Sequence, residues 1–164
     1  MKSNAVKELE LDLFTQRYLG SSIPKYARAK QRYNDTTANG LTKCIIAFIK
    51  SKGGFAERHN VTGRIIDRRT TFTDVLGHKK TIGGYEWVRG SETIGSADIH
   101  ATIKGRTIMI EVKIGKDKQS KAQMKYQQDI ERAGGLYVIA HNFEEFKYWY
   151  NSKFGGQQYE KKNK

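Results

Sequence analysis

Asp98, Glu111 and Lys113 are the residues of this chain whose types and spacing could do chemistry. Between the two acids runs Ile99-His100-Ala101-Thr102-Ile103-Lys104-Gly105-Arg106-Thr107-Ile108-Met109-Ile110, with apolar residues alternating on both sides of Lys104-Gly105. Alternation of this kind predicts two half-buried strands, and Gly105 can take the positive φ of a tight turn. Counting outward from a two-residue turn pairs Ile103 with Arg106 and, further out, Asp98 with Glu111. Directly opposed residues share a face, with Cβ atoms roughly 4.5–5.5 Å apart. Period 2 then brings Lys113 onto that face and sends Ile108, Ile110, Val112 and Ile114 to the other. Carboxylates held so close repel each other unless a cation bridges them. A hard, oxygen-seeking cation such as Mg²⁺ or Mn²⁺ removes the penalty. The pattern therefore predicts a metal site with a lysine beside it.

The elements that must position these residues are legible as periodicities. Val6 to Tyr18 reads as a helix ending at Gly20. Ile23 to Tyr33 is basic, with Lys25, Arg28, Lys30 and Arg32 interleaved with Tyr26 and Tyr33, a mixture that can grip phosphates and stack bases and that also suits a plain solvated face. From Gly40 to Lys52, apolar Leu41, Cys44, Ile45, Phe48 and Ile49 make one helical stripe, closed by Gly53-Gly54. Phe55 to Asp67 is strand-like, and Arg68 to Arg89 reads as a β excursion of uncertain pairing. Ser120 opens a helix that runs to about Ala133, Leu136 to Ala140 is a short buried strand, and Asn142 to Glu145 has capping-box spacing ahead of a last helix. Periodicity alone predicts an α/β or α+β domain.

Asp98, Glu111-Val112-Lys113, Ser120-Lys121-Ala122-Gln123 and Gly134-Gly135-Leu136-Tyr137-Val138-Ile139-Ala140, in that order, resemble the PD-(D/E)XK nuclease superfamily. The likeness is to its VRR-NUC branch and to related phage and Holliday-junction nucleases, and it covers about Asn39 to Tyr150. It implies a restriction-endonuclease-like core, a mixed sheet flanked by helices in the order ααβββαβα. The expected division is a helical, basic N-terminal extension (1–34), a nuclease-like domain (35–154) and a disordered basic tail (155–164). It also implies a Mg²⁺-dependent endonuclease or deoxyribonuclease of phage or bacterial origin, with a homodimer suggested by analogy with junction-cleaving relatives, and leaves open whether the substrate is a junction, a flap, a nick or a duplex end. Asp98, Glu111 and the Val112 carbonyl would be the metal ligands, and Lys113 and Gln123 would complete the catalytic set. Two features depart from the family pattern. Gly95-Ser96-Ala97 precedes Asp98 where a proline is expected, and Asn39 or Thr42 stands near the place of a first-helix acid. A non-catalytic nucleic-acid-binding protein on a degenerate nuclease fold is the alternative.

Composition points the same way about partners. The 164 residues carry a formal net charge of +13, which favours a polyanion such as DNA. No apolar run approaches a membrane span and the N-terminus lacks a signal-peptide stretch, so a cytoplasmic protein is expected. The single cysteine, Cys44, excludes an internal disulfide and a cysteine-based zinc cluster.

Further candidates surround the site. Lys113 would orient the attacking water or stabilise the phosphorane, as a charge rather than as a base. Gln123 would position water or phosphate, or else serve only as the capping-box partner of Ser120. Gln127, one turn later, is its substitute. His100 shares the Asp98 face. Glu57, Asp35 and Asn39 are candidates for a third ligand. Arg58, Asn60, Lys116, Lys118 and Lys121 are expected to contact nucleic acid.

Overall fold

The structure, a computed structural model, describes residues 2–59, 63–88 and 93–155. In chain order its elements are α1 (Asn4–Arg17), a 3₁₀ turn (Lys25–Ala27), α2 (Ala38–Ser51), β1 (Phe55–Arg58), β2 (Arg64–Asp67), β3 (Thr70–Thr73), β4 (Lys79–Ile82), β5 (Tyr85–Val88), β6 (Ile99–Ile103), β7 (Arg106–Val112), α3 (Lys121–Arg132), β8 (Leu136–Ala140) and α4 (Phe143–Phe154). With β2–β5 set aside as an insertion, the core order is ααβββαβα. The fold is α+β, with a mixed four-stranded sheet in the order β1-β6-β7-β8.

The β6–β7 hairpin has the predicted register, Ile103 opposite Arg106 through Ile99 opposite Ile110. Lys104 at φ 49° and Gly105 at φ 75° form the two-residue turn. Positive φ at both positions matches the twist of the flanking strands, the geometry that type I′ turns supply. β8 then pairs parallel to β7, Ile108 opposite Leu136 through Val112 opposite Ala140. Lys113 extends that ladder by donating its amide to the Ala140 carbonyl at 3.0 Å.

One face of the sheet carries the core. Ile99, Ala101, Ile103, Ile108, Ile110 and Val112 are buried there with the predicted stripe of α2. Phe48 meets the rings of Phe143 and Tyr150 at 5.6 and 5.0 Å, tying α2 to α4. α1, expected within a basic extension, packs on α2 and α4 and buries Ala5, Val6 and Leu9 in the same core. Cys44 is buried too, with its thiol pushed up to about 12 chiefly by burial. A thiol so far from its thiolate is inert.

Among the described residues the opposite face carries α3 alone, packed along β8. Ser120 caps it, and Gly134, at φ 82°, follows its end. No residue of α3 is buried, so the sheet face beyond it, over β1 and β6, stays open. No helix among the described residues is long and apolar enough to cross a membrane. Of the expected tail, Gly155 caps α4 by donating to Asn151 at 2.8 Å; the rest lies outside the described residues.

Candidate active site

Period 2 along β7 sends Met109 and Glu111 to the α3 face and Ile108, Ile110 and Val112 to the core. The β6–β7 register, extended by one residue, sets Asp98 opposite Glu111. Asp98 Oδ2 accepts the Val112 amide at 2.9 Å, so the carboxylate closes the hairpin ladder where its regular pairing ends. Glu111 and Lys113 are only 2 % and 6 % exposed, unusual for charged side chains unless they are paired. The pairing is direct. Lys113 Nζ lies 3.2 Å from Glu111 Oε1, 3.4 Å from Asp117 Oδ2 and 3.2 Å from Gln123 Oε1.

Gln123 completes the cluster from α3. Its amide nitrogen donates to Glu111 Oε1, and its oxygen accepts the Ser120 amide at 2.9 Å. The capping box and the site contact, alternatives in the sequence, coexist in one side chain. Gly95 makes the approach of α3 possible. At φ +83° it lies so close that a Cβ would come within 2.4 Å of the Ala122 carbonyl carbon. The loop leading into Asp98 is thus pressed against the first turn of the helix that carries Gln123.

Electrostatics separate the roles of Glu111 and Lys113. Burial, and then the Asp98 carboxylate, push Glu111 up to about 7 against the lowering influence of Lys113 and Tyr137. Burial pulls Lys113 down, but its hydrogen bond to Glu111 and the charges of Glu111 and Asp117 outweigh that and hold it above the usual lysine range. A lysine so placed stays charged, which suits electrostatic stabilisation better than base duty.

The donor set fits a hard divalent cation. Glu111 is a buried carboxylate whose charged form is disfavoured by a second carboxylate beside it, and a cation between them would reverse that penalty. Mg²⁺ keeps several waters, so two protein carboxylates are enough. Among the described residues no group of three or more His, Cys, Asp or Glu side chains gathers as a full protein cage.

The remaining candidates divide by position. His100, opposite Glu57 across β1 and β6, has its Nδ1 3.7 Å from Glu57 Oε1, on the open sheet face that Asp98 shares. Arg58 lies opposite Ile99, turned to the α2 side, and donates to Asn39 Oδ1 at 2.7 Å. Asp35 accepts from Ser3 Oγ at 3.3 Å and from the Phe143 amide at 3.2 Å, so it ties the starts of α1 and α4 together. Gln127 bridges Gln119 and Glu131, not Glu111. Val112 meets Asp98 through its amide. Lys116, Lys118 and Lys121 are exposed on the loop into α3 and its first residue. Asn60 lies outside the described residues.

Three contacts escaped the sequence reading. Tyr137 Oη lies 3.5 Å from Glu111 Oε2, at the limit of a hydrogen bond. Alternation along β8 was the available signal, since it turns Tyr137 away from the face of Leu136 and Val138. Asp117 reaches Lys113, four residues back along the loop. His59 donates its amide to the Asp98 carbonyl at 2.8 Å, which extends β1 alongside Asp98.

No protein-family model matches the chain, and no curated protein matches it.

Proposed function

We propose that the chain is a metal-dependent nuclease that hydrolyses phosphodiester bonds in DNA, on a restriction-endonuclease-like core. The observation that carries this reading is the convergence of Asp98, Glu111, Lys113 and Gln123 on the α3 face of the sheet, at the border of its open part, with the glutamate buried against a second carboxylate. Burying such charges carries a desolvation cost, and perturbed titrating groups gathered at one place mark candidate functional sites. When bound, Mg²⁺ or Mn²⁺ would make a coordinated water acidic enough to act as the nucleophile. Asp98 and Glu111 are the residues that would hold the cation. Lys113, kept protonated, neutralises charge developing on the phosphate. Gln123 orients the Glu111 carboxylate and offers an amide to water or phosphate. The net charge of +13 and the exposed Lys116, Lys118 and Lys121 supply attraction to a polyanion. Action in the cytoplasm and preference for junctions or flaps belong to the same proposal.

Incubation of the protein with branched, single-stranded and duplex DNA, with and without Mg²⁺, tests it, with Glu111→Ala as control. Metal-dependent cleavage lost in the control is expected. Wild-type protein that binds no divalent metal and cuts none of these substrates would leave a nucleic-acid-binding protein on a degenerate nuclease fold.

A further inference from the structure

Residues 63–88 have no part in the site, yet they form the most distinctive surface of the molecule. β2 pairs antiparallel with β5, and β3 with β4. Both ladders share one register, from Thr73 opposite Lys79 at the tip to Arg64 opposite Val88 at the root. The Arg68 amide bridges them by donating to the Gly84 carbonyl at 3.0 Å. The four strands are therefore one continuous two-stranded arm. At about 3.3 Å per residue it is on the order of 40 Å long. None of its strands packs substantially on a helix or strand outside the arm. Both ends connect to the Asp98 side of the sheet, after His59 and ahead of Asp98.

An isolated two-stranded ribbon is marginally stable in water, and this one exposes much apolar surface. Ile65, Ile82, Tyr85 and Trp87 are each more than half exposed. Ile65, Tyr85 and Trp87 share one face of the ribbon, and a contiguous patch of that kind marks an interaction site. The tip is the extreme case, with Val75 at 102 % and Leu76 at 77 % exposure. Hydrogen bonds define its turn: Asp74 Oδ1 accepts the amides of Leu76 and His78, each at 2.9 Å, and the Asp74 amide donates to the His78 carbonyl. Two bare aliphatic side chains are thus presented on a hydrogen-bonded turn.

Charge selects the partner. Each acid of the arm is neutralised within it, Asp67 by Arg69, Asp74 by Lys80 and Glu86 by Arg68. Arg64 and Lys79 keep their charges without an acidic partner among the described residues. Arg69 also stacks 4.3 Å over the Tyr85 ring. A second copy of the chain would bring +13 against +13, whereas DNA meets both the cations and the aromatic rings. A two-stranded ribbon fits a duplex groove, and the arm's length is close to one helical turn of about 34–36 Å. Apolar side chains of proteins that lie in the minor groove insert between base steps and unstack them, and strands dock in either groove.

We propose that this arm lies along duplex DNA and that Val75 and Leu76 wedge into the base stack at its tip, about one helical turn from the root that joins the arm to the Asp98 side of the sheet. The proposal rests on the nuclease reading only for the location of the cut. Such a wedge favours duplexes that are deformable or branched at the arm's tip, with the cut displaced toward its root.

Binding of the full chain to a duplex containing 2-aminopurine tests it, with Ca²⁺ replacing Mg²⁺. Wild-type protein should brighten the probe as the base unstacks. Val75→Ser with Leu76→Ser should abolish the brightening and weaken duplex binding by about tenfold. A shortened arm, with Asn-Gly replacing residues 68–84 to preserve the register, should behave likewise with an unchanged core circular dichroism spectrum. A dark probe with wild-type protein, or undiminished brightening with both variants, overturns the wedge. So does a wild-type dimer that the shortened arm converts to monomer in sedimentation velocity, because the arm then joins two copies. Mg²⁺-dependent cleavage is scored separately. Brightening without cleavage removes the nuclease reading and keeps the arm; cleavage with undiminished brightening in both variants does the reverse.

Discussion

Gln123 donates its amide nitrogen to Glu111 Oε1 while its oxygen is held by the Ser120 amide, so the first turn of α3 is fastened to β7. The helix start and the acidic strand are positioned by one side chain. Gln123→Ala should therefore lower cleavage roughly 10–100-fold, the usual cost of removing a group that orients a metal ligand. Loss of the reciprocal cap should reduce stability by about 1 kcal/mol. Gln123→Glu, which keeps an acceptor for Ser120 but sets a third carboxylate against Glu111, should recover stability and not cleavage. Equal recovery of both would show that Gln123 acts only as a cap.

Asp98→Ala and Glu111→Ala should each abolish Mg²⁺-dependent cleavage, whereas Lys113→Ala should stop cleavage and spare Mn²⁺ binding measured by calorimetry. Lys113 touches both Glu111 and Gln123, but its charge competes with a cation for Glu111. Duplex binding in Ca²⁺ should survive both acid substitutions and tighten, since each removes negative charge near the phosphate. Cleavage persisting in both acid variants would place the chemistry elsewhere.

Affinity for DNA should fall steeply with salt, because Lys and Arg contacts with phosphate release counterions. Anisotropy in chelator at about 50 and 200 mM salt measures this without cleavage. Affinity that holds constant over that range would favour an acidic protein partner over nucleic acid.

The parts of this structure that local pattern dictates were legible in the chain. Alternation around Lys104-Gly105 carries the hairpin register, because a slip of one residue would turn Ile108 and Ile110 to solvent. The α2 stripe and the Ser120 cap are local in the same sense. The arm was not legible as one hairpin. Its strands bury neither face, so alternation cannot state a register, and the apparently continuous stretch from Phe55 to Asp67 divides between the sheet and the arm. Asp35 was a poor ligand candidate for a different reason. Its partner, the Phe143 amide, lies far along the chain, and no local spacing announces that contact. The fold class followed from periodicity, while the four-group cluster needed the order of elements as well.

Gly95→Ala should disable the site without touching any of its side chains. The residue sits at φ +83°, which alanine tolerates poorly, and its Cβ would overlap the Ala122 backbone. Strain of this kind costs on the order of 1–3 kcal/mol, and relief requires α3 to move away from Asp98. Cleavage should fall with Gln123 displaced from Glu111, while salt-dependent duplex binding stays close to that of wild type. A variant with wild-type cleavage would show that the contact between this loop and α3 is incidental.

Stability of the metal-free protein should fall as pH rises through neutrality, opposite to the behaviour of an ordinary salt-bridged carboxylate. Glu111 is raised from its usual 4.5 to about 7, by burial first and by Asp98 second. The folded chain therefore holds a proton that the unfolded chain has released between those values. Its stabilising contribution is complete below about pH 4.5 and is lost as pH rises through about 7. A shift of this size corresponds to at most about 3 kcal/mol. The melting temperature in chelator, measured from about pH 5 to pH 8, should decline relative to Glu111→Gln, which cannot ionise and still accepts a hydrogen bond from Lys113. The comparison isolates Glu111 from every other titrating group of the chain. Added Mg²⁺ should restore the wild-type melting temperature at the upper end, where the ionised pair binds it best, and leave Glu111→Gln nearly unmoved. A wild-type curve parallel to that of Glu111→Gln, with or without Mg²⁺, would mean that Glu111 is already ionised and fully satisfied by Lys113, and the pair would then be structural.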